Sequence, residues 1–151
     1  MKTPLLLATA LLAAAPAGAA PVTHYPPAAM PGMPGMAKGP PFSAAVMAGD
    51  TLYLSGTTDT DPATGKPPAD VAAGARLVME NIRRSVEKAG LTMNDLVWVQ
   101  VFATNLADYA AFNDVYRTYF TGPLPARAFI GAGSLLGGAH FEVMGIAVRA
   151  R

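Results

Sequence analysis

Apolar residues recur at helical spacing between residues 70 and 90. They lie three or four positions apart, so they share one face of an α-helix. These residues are Ala75, Met79, Ile82, Val86 and Ala89. Asp70 is a suitable N-cap in front of them, and Gly90 is a suitable stop behind them. The pattern predicts one long amphipathic helix.

A second helical stripe follows further along the chain. It consists of Phe112, Val115, Tyr116 and Tyr119. Asp108 stands where an N-cap is expected, and the segment GPLP at residues 122–125 ends the helix because proline cannot continue it. We therefore predict a second, shorter amphipathic helix.

The other apolar runs are short, rich in β-branched and aromatic residues, and bounded by turn residues, as is typical of strands. They cover residues 43–47, 52–55, 96–104, 127–132 and 139–149, with a hairpin turn predicted at 48–50. The element order is ββαβαββ. This order predicts an α+β fold with one mixed sheet and two helices on one face.

The predicted strands do not alternate between apolar and polar residues, as a sheet with one solvated face should. In VWVQVFA only Gln100 is strongly polar, and Glu142 is the one charge between Phe141 and Val148. The second face of the sheet therefore needs a cover. We infer a homo-oligomer with closed symmetry, in which a second copy supplies that cover. The alternative is a monomer with a groove for an apolar ligand.

Residues 1–19 have the features of a secretory signal peptide. Lys2 supplies a positive charge, residues 5–15 form a short apolar run, and Ala17-Gly18-Ala19 is a small-residue cleavage site. We predict cleavage after Ala19 and an exported protein, periplasmic or secreted. An uncleaved membrane anchor is the alternative, although the apolar run is short for one.

Residues 20–41 are dense in proline, methionine and glycine and show no amphipathic period, so we predict a flexible tail there. The folded domain is then expected to cover residues 42–151. No later segment is long and apolar enough to span a membrane. After signal cleavage, no membrane association is therefore expected.

The charge balance excludes some classes of partner. The chain has 11 basic and 10 acidic residues, so loss of Lys2 with the signal leaves 10 of each and a net charge of zero. A nucleic-acid partner is therefore not expected, because the chain has no surplus of basic residues to bind phosphates. There are no cysteines, and no residues have zinc-ligand spacing, so disulfides, cysteine nucleophiles and a metal site are not expected.

Two isolated charges are the best candidates for chemistry. Between Thr118 and Val148 the only formal charges are Arg127 and Glu142, each within an apolar strand. A lone charge in such a setting is costly unless it is paired or used on a ligand. Arg127 could grip a carboxylate, and Glu142 could act as a general base on water, with His140 expected on the same strand face. A structural Arg–Glu ion pair at a subunit contact explains the two charges equally well.

With these residues in view, the chain from about Pro41 to Arg149 resembles the RidA (YjgF) family of reactive-intermediate deaminases. The matching motifs are AGDTLYLSG, DPATGKPPADVAAGARLVMENI, DLVWVQVFATNLADYAAFNDVYRTYF, PARAFIG and FEVMGIAVR. The resemblance implies a chorismate-mutase-like fold and a homotrimer with its sites at subunit interfaces.

The resemblance also implies an activity, namely hydrolysis of enamines and imines such as 2-aminoacrylate to 2-keto acids and ammonia, without a metal or organic cofactor. Arg127 matches the arginine that binds the substrate carboxylate, and Glu142 matches the glutamate associated with the attacking water. Ser55 matches a serine that lines the pocket, and Gly56 follows it as in the family.

Three positions depart from the family pattern. Phe42 stands where the best-studied branch has an active-site tyrosine, Phe129 where it has a cysteine, and Thr57 where a glutamine is usual. The two phenyl rings are expected to line the pocket without supplying hydrogen bonds. Two hypotheses follow: an enamine/imine deaminase, or a non-catalytic exported module that binds a small carboxylate or an apolar ligand.

Overall fold

A computed structural model describes residues 18, 20–27 and 39–150 of the chain. It contains six strands and two helices. These are β1 (Val22–Tyr25), β2 (Ala45–Ala48), β3 (Thr51–Thr58), α1 (Val71–Lys88), β4 (Leu96–Ala103), α2 (Tyr109–Arg117), β5 (Ala126–Gly131) and β6 (Phe141–Val148). The predicted signal peptide, apart from Gly18, and the methionine-rich part of the predicted tail lie outside the described residues.

The strands form one mixed sheet in the order β1-β2-β3-β6-β4-β5. Only the β4–β5 pair is parallel among the described strands; the other pairs are antiparallel. The α+β fold with one mixed sheet and two helices is therefore confirmed. The helices and one sheet face enclose a single hydrophobic cluster, in which Phe112 of α2 packs on Phe141 of β6.

Both helices lie where the apolar stripes predict them, except that Ala89 and Tyr119 lie beyond the helix ends at Lys88 and Arg117. The Asp70 side chain accepts hydrogen bonds from the N–H groups of Ala72 and Ala73, and Gly90 follows α1 with a φ of 73°. The prediction for α2 was wrong in one respect, because Asp108 makes no side-chain capping bond. Asn105 caps the preceding turn of 3-10 helix instead, accepting from the Ala107 N–H at 3.1 Å. Neither helix is long and apolar enough to cross a bilayer.

Strand β1 lies inside the segment that the sequence analysis assigned to a flexible tail. It pairs antiparallel with β2, and the Gly49 N–H donates to the Pro21 carbonyl at 3.0 Å. Valine, threonine and tyrosine favour strands, but three such residues in a four-residue segment flanked by prolines give only a weak signal. The strand forms because it satisfies the outward-facing backbone groups of β2.

A buried carboxylate ties three elements together at the end of β3. Asp59 is fully buried and accepts from the N–H groups of His140 and Phe141, at 2.9 and 3.2 Å, and its other oxygen lies 2.9 Å from His140 Nδ1. Gly74, in the first turn of α1, leaves room for this carboxylate, since a Cβ there would overlap it. Asp59 thus joins the start of β6 to β3 under α1.

We predict that Asp59→Ala lowers the free energy of unfolding by about 3 kcal/mol, because two N–H groups lose their buried acceptor. Urea denaturation measures the change. Asp61→Ala is the control, since the Asp61 side chain accepts only an exposed turn N–H, and it should cost less than about 1 kcal/mol. Equal losses in the two variants would contradict the assignment.

Candidate active site

Glu142 lies on the sheet face opposite the helices. Its strand register aligns it with Phe102 of β4 and Thr58 of β3, between the buried neighbours Phe141 and Val143. In the described part of the chain its carboxylate has no hydrogen-bond or ion-pair partner, although it is half-buried. An unpaired carboxylate in such a position is available to a water or a ligand.

An irregularity in β3 brings Gly56 under this carboxylate. The β3–β6 register shifts between Leu54 and Thr57, so that Ser55 and Gly56 lie in a bulge. A Cβ on Gly56 would overlap the Glu142 carboxylate, which shows how closely the side chain lies on the backbone there. The structure therefore brings the predicted residues Gly56 and Glu142 together.

Ser55 is hydrogen-bonded to the two residues that precede β2. Its hydroxyl donates to the carbonyl of Ser43 at 2.7 Å, and its N–H donates to the carbonyl of Ala44 at 3.0 Å. Phe42 directly precedes Ser43 and is 40% exposed. The serine hydroxyl can still accept a hydrogen bond through its oxygen lone pairs.

Arg127 lies on the other face of the sheet. The register aligns it with Val99, which is buried under the helices. Its Nη2 donates to Asn113 Oδ1 at 2.7 Å, and its Cζ lies 4.5 Å from the centre of the Tyr116 ring. Both partners belong to α2. In the described residues no carboxylate lies within ion-pair distance of this guanidinium.

Arg127 and Glu142 therefore do not meet within one chain. They lie on opposite faces of the sheet with β4 between their strands. The structural ion pair considered from the sequence does not form inside the protomer. Any ligand that touches both side chains must lie between two copies of the chain, since a small molecule cannot reach through the sheet.

Phe129 belongs with Arg127 rather than with Glu142. Its ring packs against Phe112 at 5.5 Å and edge-on against Tyr109 at 5.0 Å. The Arg127 Cζ lies 5.8 Å from its centre. Phe129 is thus mainly a packing residue of the helix-covered face that also borders the guanidinium.

His140 is engaged with Asp59 and not with Glu142, contrary to the shared face expected from the sequence. Sequence reasoning also did not identify Asn113, Tyr116 and Tyr109 as neighbours of Arg127. Asn113 and Tyr116 are three residues apart on α2, so the sequence indicates that they share a helix face. It does not indicate that this face packs against Arg127 of β5. Within the described residues, no three His, Cys, Asp or Glu side chains are grouped to hold a metal ion.

The chain is similar to known proteins over most of its length. The family model for endoribonuclease L-PSP matches residues 36–149. The 2-iminobutanoate/2-iminopropanoate deaminase of Escherichia coli K12 is 38% identical over 112 residues, which is 72% of this chain and 88% of that protein. The mouse protein of the same name is 34% identical over 110 residues, covering 72% and 82%.

Solved structures show the same fold. The crystal structure of E. coli TdcF with bound serine superimposes with a TM-score of 0.70 at 35% identity, covering 74% of this chain and 90% of that one. The structure of the E. coli YjgF gene product has a TM-score of 0.71 at 35% identity, covering 85% and 96%.

We predict that Gly56→Ala displaces the Glu142 carboxylate while the fold is kept. The added methyl group needs the space of the carboxylate, but the end of a glutamate side chain can rotate away, so stability should change by less than about 1 kcal/mol. A crystal structure of the variant shows the displacement. Gly133→Ala, whose Cβ meets nothing within 4 Å, is the control. An unmoved Glu142 would contradict the prediction.

Proposed function

The chain belongs to the endoribonuclease L-PSP (RidA) family, as its motifs indicated, and on that premise we propose that it hydrolyses 2-imino and enamino acids to 2-keto acids and ammonia. The relatives from E. coli and mouse are imine deaminases by name. The substrate proposed for this chain is a small imino acid of the 2-aminoacrylate type.

One observation carries the proposal. Two charged side chains from apolar strands, Arg127 and Glu142, each lack an opposite charge in the described part of the chain. A half-buried charge without a counter-charge is unfavourable, so its retention favours a role on a ligand. A guanidinium and a free carboxylate are the groups that binding an imino acid and activating water require.

The chemistry needs few groups. Arg127 binds the substrate carboxylate and orients the C=N bond. Glu142 takes a proton from water while the water oxygen forms a bond to the imine carbon, and the imine nitrogen gains a proton. The product of this addition is a carbinolamine, whose nitrogen takes a second proton, the one that Glu142 removed from water. The C–N bond then breaks, ammonia leaves with the electron pair, and the hydroxyl proton is lost to give the keto acid. An enamine first tautomerises to the imine, and no redox step or cofactor is required.

We assign supporting roles to the other predicted residues. Ser55 accepts a hydrogen bond from the substrate or from the attacking water, since its own proton is used on Ser43. Gly56 leaves space for the Glu142 carboxylate. Phe42 and Phe129 supply apolar contacts, Phe42 from its exposed position and Phe129 from beside the guanidinium.

The active form is proposed to be a homotrimer with its sites at subunit interfaces. The open sheet face is apolar, as the strand pattern predicts, and includes Tyr53, Trp98, Phe102, Met144, Ile146 and Val148. A second copy against this face would cover apolar surface and bring one chain's Glu142 near another chain's Arg127.

We further propose that the mature protein works outside the cytoplasm, on the strength of the signal-peptide pattern in residues 1–19. Its partners there are small carboxylates. Nucleic acid is not proposed as a partner because the net charge of the mature chain is zero.

The test is hydrolysis of imino acids generated in place by an amino acid oxidase, with keto acid and ammonia as readouts. Wild type should exceed the uncatalysed rate. Arg127→Ala should lower kcat/KM about a hundred-fold, equivalent to about 2.7 kcal/mol, and Glu142→Gln should lower kcat. Asp114→Ala, on α2 away from Arg127, is the surface control.

Absence of any rate above background in wild type would refute the deaminase proposal. Keto-acid binding that depends on Arg127, without turnover, would instead establish the non-catalytic binding module.

We expect light scattering to give three times the monomer mass. Ile146→Asp should dissociate the assembly, because it places a charge within the covered apolar face. Arg84→Asp, on the exposed side of α1, should leave the mass unchanged. A monomeric wild type at micromolar concentration would overturn the trimer proposal.

A further inference from the structure

Three aromatic rings surround the guanidinium of Arg127. The Arg127 Cζ lies 4.5 Å from the ring centre of Tyr116, 5.7 Å from that of Tyr109 and 5.8 Å from that of Phe129. The ring faces stabilise the cation and limit its movement. The three rings differ in exposure, because Tyr116 is 2% exposed whereas Tyr109 is 49% exposed. Tyr109 is therefore the most solvent-accessible of the three rings.

A cavity of about 230 Å³ lies beside the same guanidinium. Its lining consists of Asn113, Tyr116, Arg117, Leu124, Pro125 and Arg127. Two arginines and no acidic residue line it, so its chemistry suits an anion. Arg127 Nη2 is already held by Asn113, which fixes the orientation of the planar fork.

The exposed ring of Tyr109 lies next to two residues of the cavity lining, Asn113 and Arg127. Tyr109 and Asn113 are four residues apart on α2 and so share one helix face. The Phe129 ring meets Tyr109 edge-on at an interplanar angle of 90° and fixes its plane. The pKa of Tyr109 is lowered, first by the interaction of its hydroxyl with Asn113 and then by the charge of Arg127, and both of these residues line the cavity.

We propose that Tyr109 is a further ligand-binding residue, whose hydroxyl donates a hydrogen bond to the carboxylate that Arg127 binds. The assignment rests on the proposed function, because it takes the ligand to be a small carboxylate. It adds a neutral donor beside the guanidinium, so that the two carboxylate oxygens are held by groups of different kinds.

Tyr116 has a different place in the same arrangement. Its hydroxyl is buried and has no hydrogen-bond partner among the described residues, and burial raises the pKa of Tyr116 to about 12. Its ring lines the cavity, 4.5 Å from the guanidinium carbon, and is almost fully shielded from solvent. Tyr116 therefore supports Arg127 by stacking, whereas Tyr109 reaches the ligand.

Isothermal titration calorimetry with 2-oxobutanoate, a product of the proposed reaction, tests this assignment. Tyr109→Phe keeps the ring and removes the hydroxyl, and it should weaken binding about ten-fold, as expected for a lost hydrogen bond to a charged group. Tyr119→Phe is the matched control: Tyr119 lies two residues beyond the end of α2, and its hydroxyl donates to the Arg76 carbonyl. Binding to this control should equal that of wild type.

The pH dependence of binding separates a ligand contact from a structural effect. The charged groups that act on Tyr109 are Arg127 from β5 and Arg117 from α2, and both stay protonated. As pH rises towards the lowered pKa of Tyr109, the hydroxyl loses the proton that it donates. The resulting phenolate repels the ligand carboxylate. Wild-type affinity should fall in that range, and the fall should be absent in Tyr109→Phe.

The outcomes are distinct. If wild type neither binds 2-oxobutanoate nor hydrolyses an imino acid, the proposed function fails, and this inference fails with it. If wild type binds and Tyr109→Phe binds equally well with the same pH profile, only the role of Tyr109 is overturned. Equal weakening in Tyr119→Phe would also overturn it, because the effect would then not be local to Arg127.

Discussion

Side chains alternate between the two faces of a β-sheet, and in this protein the alternation separates the two charges that the apolar strands carry. The central strand β4 aligns Arg127 with buried Val99 on one side and Glu142 with Phe102 on the other. A shift of either strand by one residue in its pairing register would place both charges on the same sheet face. It would also expose every core residue of that strand. The hydrophobic core thus enforces the separation, and a small ligand cannot use both charges within one chain.

Two carboxylates near β3 differ in how their oxygens are satisfied. Each lies against a glycine: Asp59 against Gly74, and Glu142 against Gly56. Asp59 receives two backbone N–H groups and the His140 ring, so its charge is satisfied and fully buried. Glu142 receives nothing from the described residues and stays half-buried. Burial without partners is unfavourable for a carboxylate whose purpose is packing, but it suits one that must accept a proton from water.

Local pattern was sufficient for much of the fold, since α1 with its Asp70 cap and Gly90 stop depends on contacts within a few residues. The isolation of Arg127 and Glu142 in apolar strands was likewise visible along the chain. The surroundings of these residues were not. Asp59 and His140 meet across 81 positions, so neither periodicity nor spacing could pair them. Strand β1 was missed because its four residues become a strand only through the edge of β2.

The packing of Phe129 gives this departure from the family pattern a second effect. From the sequence, Phe129 removes a polar contact from the pocket that the family resemblance implies. In the structure, the same ring meets Tyr109 edge-on and borders Arg127. A smaller side chain at this position would leave the Tyr109 phenol without its support. The residue that takes a polar group away from this region therefore also packs against a tyrosine beside the guanidinium.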